Sequence, residues 1–300
     1  MKQRNRMRQR WIPYVLLLPS ILLIIGIYGY PIIKVFSLSL QNYNYADFVN
    51  RGYIGLENFR KIFTEDTNVT DAVVFSIKWV VSQVGLQLLL GMIMALLLNC
   101  RFKVRGLVRS LSLIPWAVSG VLATMLWILI LNQSIGLINL VLVKLGFSPG
   151  NVPSWLGNPN LVFSSVTICE LWKGIPFFAI TILAALQGIP EDIYEACEID
   201  GAGKLQKFRY ITLAYLRETI VLTTMLRVIW EFNATDMIFT LTNGGPVNRT
   251  TTLALYMMKT AIINGNYGYG SALGVVIFGA LLIFAAVYMY LNRFGGEEDA

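Results

Sequence analysis

The chain has 300 residues, of which 56% are hydrophobic and only 14% charged, against the ~25% charge of an ordinary soluble domain. A soluble fold of this length has no core large enough to hide so much apolar side chain, so soluble enzymes and soluble binding modules are excluded and a membrane protein remains. Lys and Arg number 24 against 17 Asp and Glu, with no His, for a formal net charge of +7, a balance that suits nucleic acid, anionic lipid or membrane orientation according to where the charges fall.

About 20 apolar residues cross a ~30 Å hydrocarbon core. Six stretches meet that length: Ile12–Ile33, Val73–Leu98, Leu107–Leu131, Leu161–Leu186, Thr219–Leu241 and Gly270–Leu291. The expectation is an all-α, polytopic membrane protein with about six transmembrane helices. The first stretch follows Arg4, Arg6, Arg8 and Arg10, but no small-residue cleavage site comes after it. It reads as a retained helix rather than a signal peptide. Basic residues gather in the N-terminal tail, in the second connection (Arg101, Lys103, Arg105, Arg109), in the fourth (Lys204, Lys207, Arg209, Arg217) and at Arg293. Alternating spans put all four regions on one side, and the positive-inside rule makes that side cytoplasmic, with both termini there. The basic charge is thus an orientation signal, and no nucleic acid is required. The expected segments are a tail over 1–12, a first helix with outer segment over 13–70, a core over 71–292 and a tail over 293–300.

Ionisable groups inside a membrane are costly and mark pairs or pathways. The fourth span carries Glu170, Trp172 and Lys173 beside Gly174, Pro176 and Phe177. Glu170 and Lys173 are three apart on one helical face. Either they neutralise each other, or one faces a water-filled cavity. Gly174 to Phe178 should loosen the helix locally, as at broken helices around transport sites.

The next connection, 188–216, is a folded projection rather than a plain loop. Pro190 suits a helix start, and Glu191 and Asp192 suit its positive end. Asp200-Gly201-Ala202-Gly203 then breaks the helix, Gly tolerating the positive φ of a C-cap. A second short helix with Lys204, Lys207 and Arg209 returns to the membrane. Such a segment either lies on the membrane surface or fits a groove on a partner.

The fifth span carries Arg227, Trp230, Glu231, Phe232, Asn233 and Asp236. Arg227 and Glu231, four apart, form a candidate pair. Trp230 and Asn233, with Met237, share a helical face. An aromatic plane beside amides and carboxylates suits a sugar, whose apolar face stacks on a ring while its hydroxyls bond polar groups; core packing with interfacial anchoring is the competing role. In the last span Gly270, Gly274 and Gly279 permit close helix approach. Asn243-Gly244-Gly245-Pro246 reads as an outer turn.

Glu195-Ala196-Cys197, then Gly201, then Ile211-Thr212-Leu213 resembles the cytoplasmic "EAA" loop of binding-protein-dependent ABC importer permeases. Leu18-Pro19-Ser20, Tyr30-Pro31, Gly55-Leu56-Glu57-Asn58-Phe59, Ile114-Pro115, Gly188-Ile189-Pro190-Glu191-Asp192 and Leu241-Thr242-Asn243-Gly244-Gly245-Pro246 extend the likeness over nearly the whole chain. They are similar to the carbohydrate-uptake branch, in its first-subunit type that serves maltose, lactose, other oligosaccharides and glycerol-3-phosphate. Cys197 stands where Ala is usual and Ala214 where Pro is usual.

The resemblance implies a type I ABC importer transmembrane fold in a bacterial or archaeal cell membrane. Its implied partners are a second homologous permease subunit, a cytoplasmic ABC ATPase dimer, an extracytoplasmic solute-binding protein and membrane lipid. Glu195, Ala196, Cys197, Asp200 and Gly201 become coupling residues against the ATPase. Glu170, Trp172, Lys173, Phe177, Trp230, Glu231, Asn233 and Asp236 become candidates for the substrate pathway. The chain itself is expected to be no enzyme and to hold no cofactor or metal, ATP and Mg belonging to the partner ATPase. A P-loop needs Gly-x4-Gly-Lys-[Ser/Thr]; the nearest string, Gly201-Ala202-Gly203-Lys204, has Glu198 at the first Gly and Leu205 after Lys. A permease for glycerol-3-phosphate or another polar solute is the nearer alternative. A polytopic membrane transferase is the remote one, because the chain has no His and no clustered Asp-x-Asp pattern.

Overall fold

The computed structural model describes residues 14–47, 49–100 and 102–292. The basic tail over 1–12, Arg101 and the tail over 293–300 lie outside the described residues, as do the first residues of the span expected at Ile12–Ile33. Helix α1 (Tyr14–Ser39) leads into a hairpin of β1 (Gln41–Asn42) and β2 (Gly52–Tyr53), antiparallel with Gln41 opposite Tyr53. There follow α2 (Glu57–Thr64), α3 (Thr67–Asn99), α4 (Arg105–Ala117), α5 (Gly120–Ile130), α6 (Leu137–Lys144) and α7 (Val162–Gln187). The projection contains α8 (Glu191–Ile199) and α9 (Lys204–Lys207), then α10 (Leu213–Asn233), α11 (Asp236–Thr242), α12 (Leu253–Met258) and α13 (Tyr267–Leu291) complete the chain.

The described residues divide into two compact units, 14–66 with 257–280, and 67–256 with 281–292. In the first, the Asn58 side chain is buried and donates to the carbonyls of Ser39 at 2.9 Å and Gln41 at 3.0 Å. It ties the end of α1 to the hairpin, and Gly55, at φ +61°, makes the turn that aims it there. The start of α13 joins the same unit through Tyr269, whose hydroxyl donates to Asp66 at 2.7 Å, and through Gly268 N–H to the Tyr43 carbonyl at 3.0 Å.

In the second unit α3 and α7 pack along their lengths, with α10 against both. The buried face of α3 runs through Ser76, Trp79, Gln83, Gln87, Gly91 and Ala95, a three-to-four-residue spacing that keeps one stripe on its neighbours. Two small residues let the backbones close up, as is usual between membrane helices. A Cβ on Gly91 would lie 2.5 Å from that of Phe178. The Ser76 hydroxyl accepts from the Leu253 N–H at 2.8 Å, satisfying the buried start of α12.

Four of the expected spans are single long apolar helices: α1, α3, α7 and α13. The stretch Leu107–Leu131 is not one helix: α4 and α5 meet at a 93° bend. Pro115 removes a backbone donor near the end of α4, and Val118 and Ser119 are extended, with ψ 135° and 139°. The stretch Thr219–Leu241 also breaks, at Ala234 with ψ 107°. Asn233 turns back to donate to the Ile229 carbonyl at 2.9 Å. Conversely, the loosening expected at Gly174–Phe178 is absent, and α7 runs through Pro176 unbroken. Pro176, Phe177 and Phe178 are all buried, so packing against α3 holds the helix where the proline weakens it.

The last-span glycines divide by contact. A Cβ on Gly270 would sit 2.6 Å from that of Ala261, whereas one on Gly279 would meet nothing within 4 Å. Gly270→Val should therefore lower stability by about 1–3 kcal/mol through overpacking, and Gly279→Ala, which meets no neighbour, should raise it by up to about 1 kcal/mol. Thermal unfolding of the detergent-solubilised variants checks both.

Candidate functional site

The polar interior of the second unit centres on Arg227. Its Nη2 lies 2.6 Å from Glu231 Oε1 and 3.4 Å from Glu170 Oε1, and its Nε donates to Gln87 Oε1 at 2.7 Å. Gln87 Nε2 in turn donates to Glu231 Oε1 at 2.9 Å and to Gln83 Oε1 at 3.1 Å, and Gln83 Nε2 donates to the Thr167 carbonyl at 3.4 Å. All of these side chains are buried. Gly174 faces the Gln87 amide, in space a side chain would fill. The network joins α3, α7 and α10, three helices that hydrocarbon alone would not select for one another.

The expected Arg227–Glu231 pair is present. The alternative in which Glu170 pairs with Lys173 is not: Glu170 turns to Arg227 instead, because α10 lies across that face of α7. Among the described residues Lys173 has no ion pair or hydrogen bond. Its Nζ is 3.1 Å from where a Cβ on Gly120 would stand, and Asp236 Oδ2 is 3.9 Å from the same point. Lys173 and Asp236 thus converge where both bent helices break, at the starts of α5 and α11. Trp172 packs edge-on to Trp127, with ring centres 6.1 Å apart.

Trp230 is 44% exposed, and its ring centre is 5.2 Å from that of Phe177. Asn233 and Asp236 are also exposed. Met237 leaves the face expected to hold Trp230 and Asn233, because the break at Ala234 turns it into the core. The pathway candidates therefore separate: Glu170, Phe177 and Glu231 are enclosed, and Trp172, Lys173, Trp230, Asn233 and Asp236 reach accessible surface. Gln83 and Gln87 belong to the enclosed group and were passed over in the sequence, where their signal is two amides four apart in an otherwise apolar span.

Arg227→Met would leave two buried carboxylates without their cation, and loss of one partner of a buried pair costs about 3–5 kcal/mol. Lys173→Met, removing a half-exposed cation without an ion pair, should cost under about 1 kcal/mol. Unfolding of the purified variants under identical conditions separates the two.

The projection between α7 and α10 is braced within itself. At the end of α8, Ala202 N–H bonds the Cys197 carbonyl at 2.9 Å and Gly201 N–H that of Glu198 at 3.0 Å. This is the two-bond helix stop that needs a left-handed residue, supplied by Gly201 at φ +77°. Lys207 Nζ lies 2.6 Å from Glu198 Oε1, Gln206 Oε1 accepts from Gly203 N–H at 2.8 Å, and the hydroxyls of Tyr194 and Thr212 meet at 2.9 Å. Glu195, Ala196, Asp200 and Gly201 are exposed and Cys197 is half-buried, so the triplet and the turn stand on the outside of a closed unit. A hydrogen bond from Lys207, with its charge, holds the Glu198 carboxyl below its ordinary value of 4.5. A lowered carboxylate favours the fold above its unfolded pKa and loses that contribution as pH falls through the folded one. Hydrogen exchange of the 191–212 amides should be flat from neutral pH to about 5 and accelerate below 4, after correction for intrinsic exchange.

Residues 87–294 match the family described as "Binding-protein-dependent transport system inner membrane component". A trehalose/maltose transport system permease protein of Thermococcus litoralis is 35% identical over 288 residues, 96% of this chain and 95% of that protein. A diacetylchitobiose uptake system permease protein of Streptomyces coelicolor is 34% identical over 290 residues, 96% of this chain and 88% of that one. Among solved structures, a chain of a bacterial alginate ABC transporter, in complex with an alginate pentasaccharide-bound periplasmic protein, superposes with a TM-score of 0.84 at 21% identity, covering 96% of both chains. That likeness shows the fold, a type I ABC importer transmembrane fold. The multi-pass helices, the family match over most of the chain and the end-to-end relatives agree: this chain belongs to the binding-protein-dependent transport system inner membrane components, as a membrane permease subunit.

Proposed function

We propose that this chain is one of two permease subunits forming the translocation pathway of an ATP-driven importer for a sugar or oligosaccharide. The observation that carries the mechanism is the braced projection 188–216. Its hydrogen bonds and its Glu198–Lys207 pair are internal, so it can move as one piece against a partner without first folding. A cytoplasmic ATPase dimer holding ATP and Mg would seat on Glu195, Ala196 and Cys197, with Asp200 and Gly201 fixing the angle of α8. Sidedness follows from the basic residues near this projection, which set it and both termini in the cytoplasm. An extracytoplasmic solute-binding protein would deliver solute to the opposite face.

The carbohydrate assignment is supported by the two relatives, both named for saccharides. The accessible groups suit it chemically: Trp172 and Trp230 offer ring faces, and Lys173, Asn233 and Asp236 offer donors and acceptors at the helix breaks. Glu170, Glu231 and Phe177 would act from behind, holding α3, α7 and α10 in place. The unpaired Lys173 favours one alternative, a solute bearing phosphate such as glycerol-3-phosphate, since an ammonium recognises phosphate as a point charge.

Gly201→Val should force a β-branched residue into the left-handed region at about 1–2 kcal/mol and reduce ATPase assembly and ATP-dependent uptake together. Normal assembly and uptake in that variant would sink the coupling role. Uptake of labelled neutral oligosaccharides and of glycerol-3-phosphate, in cells with and without this chain, decides between the two solute classes.

A further inference from the structure

A cavity of about 180 Å³ opens between α3, α4 and α7, toward the end of the bundle that carries the projection. Leu98, Leu113, Pro176 and Leu183 make its apolar wall, and Arg109 and Gln187 stand at its mouth. Along α7 the wall runs from Pro176 to Gln187, which at ~1.5 Å per residue is roughly 16 Å. That is about the depth of one leaflet of a ~30 Å hydrocarbon core. An apolar cavity of about 150 Å³ is already large enough to take up benzene.

The mouth is built around one fixed cation. Arg109 donates from Nε and Nη2 to the Leu98 carbonyl at 3.3 Å and 3.0 Å. The Gln187 amide, with its oxygen turned toward the guanidinium, accepts from Nη1 at 3.0 Å and Nη2 at 2.6 Å. Both partners are neutral, and among the described residues no carboxylate pairs with Arg109. The side chain is therefore held in place while its charge stays uncompensated. It sits at the polar end of an apolar slot one leaflet deep. A basic pocket between membrane helices, set at headgroup level, is what an anionic phospholipid requires. A solvated anion would gain the cation but nothing from the apolar wall.

We infer that this slot seats an acyl chain of an anionic phospholipid whose phosphate rests on Arg109. Calling that leaflet cytoplasmic rests on the orientation proposed above; the site itself does not. By holding α4 against α3 and α7, the bound lipid braces the first half of the bent helix pair.

The test uses the full chain with its partner subunits, extracted from nanodiscs of mixed phosphatidylglycerol and phosphatidylcholine, with retained lipid read by native mass spectrometry. The wild type should retain phosphatidylglycerol over phosphatidylcholine by about fivefold, the effect of one basic residue near an anionic surface. Arg109→Gln should bring the ratio to near one, and Arg109→Lys should restore most of it. A phosphatidylglycerol bearing a photoreactive acyl chain should label the peptides containing Leu113 and Leu183 in the wild type, a readout that needs no variant. Equal retention of the two lipids, an unchanged ratio in Arg109→Gln, or labelling confined to other helices would each overturn the site. So would a photoreactive residue at position 112 that captures the partner permease in place of lipid. Absence of ATP-dependent sugar uptake by the wild-type complex, with lipid retention intact, would count against the proposed function and leave this site standing.

Discussion

One guanidinium organises the interior of this protein. Arg227 is taken out of water in a segment where hydrocarbon offers no hydrogen bonds, so its partners have to come from the protein. Glu231 comes from its own helix, Glu170 from α7 and Gln87 from α3. In a lipid solvent the apolar faces of these helices have no strong preference for each other. The polar network has one, because each member finds its partners at a single register. Two glycines fit that register: Gly91 lets α3 approach the backbone of α7 at Ile175 and Ala179, and Gly174 leaves the space that the Gln87 amide occupies.

The chain breaks beside this network: α4 gives way to α5 at Val118–Ser119, and α10, which carries Arg227 and Glu231, gives way to α11 at Ala234, just beyond them. Breaks expose backbone donors and acceptors, which is tolerated at membrane depth only where they are buried in protein or face water. Lys173 and Asp236 point to the region where the two breaks meet. An enclosed, largely hydrogen-bonded network, with the buried Glu231 Oε2 left without a hydrogen bond, lies beside a broken, polar surface. In the proposed importer the first would hold the frame and the second would exchange its partners with a solute.

The projection repeats the logic at smaller scale. Gly201 supplies a conformation other residues resist, the main chain closes around it, and Glu198 with Lys207 ties the second short helix to the first. Nothing in that closure requires a partner protein.

Much of this was legible in the residues. The long apolar runs marked four helices long enough to cross, since length and hydrophobicity alone decide whether a helix can do so. The Pro190 and Gly201 signals bounded α8, because cap chemistry is local. Arg227 and Glu231, four apart on one helix, were identified as a pair for the same reason. What failed depended on contacts between distant segments. Glu170 was offered its near neighbour Lys173, but a helix crossing from 57 residues away supplies the stronger partner. Pro176 carried a local signal for a break, and packing against α3 overrode it. Ala234 carried no such signal, yet the helix breaks there. Gln83 and Gln87 looked like isolated amides in an apolar helix; only the fold shows what they hold. The sequence by itself determined what crosses the membrane and where the projection folds, because those are matters of hydrophobic length and backbone preference. The tertiary structure alone decided which charges are enclosed and which are open, because burial in a helix bundle is a property of neighbours.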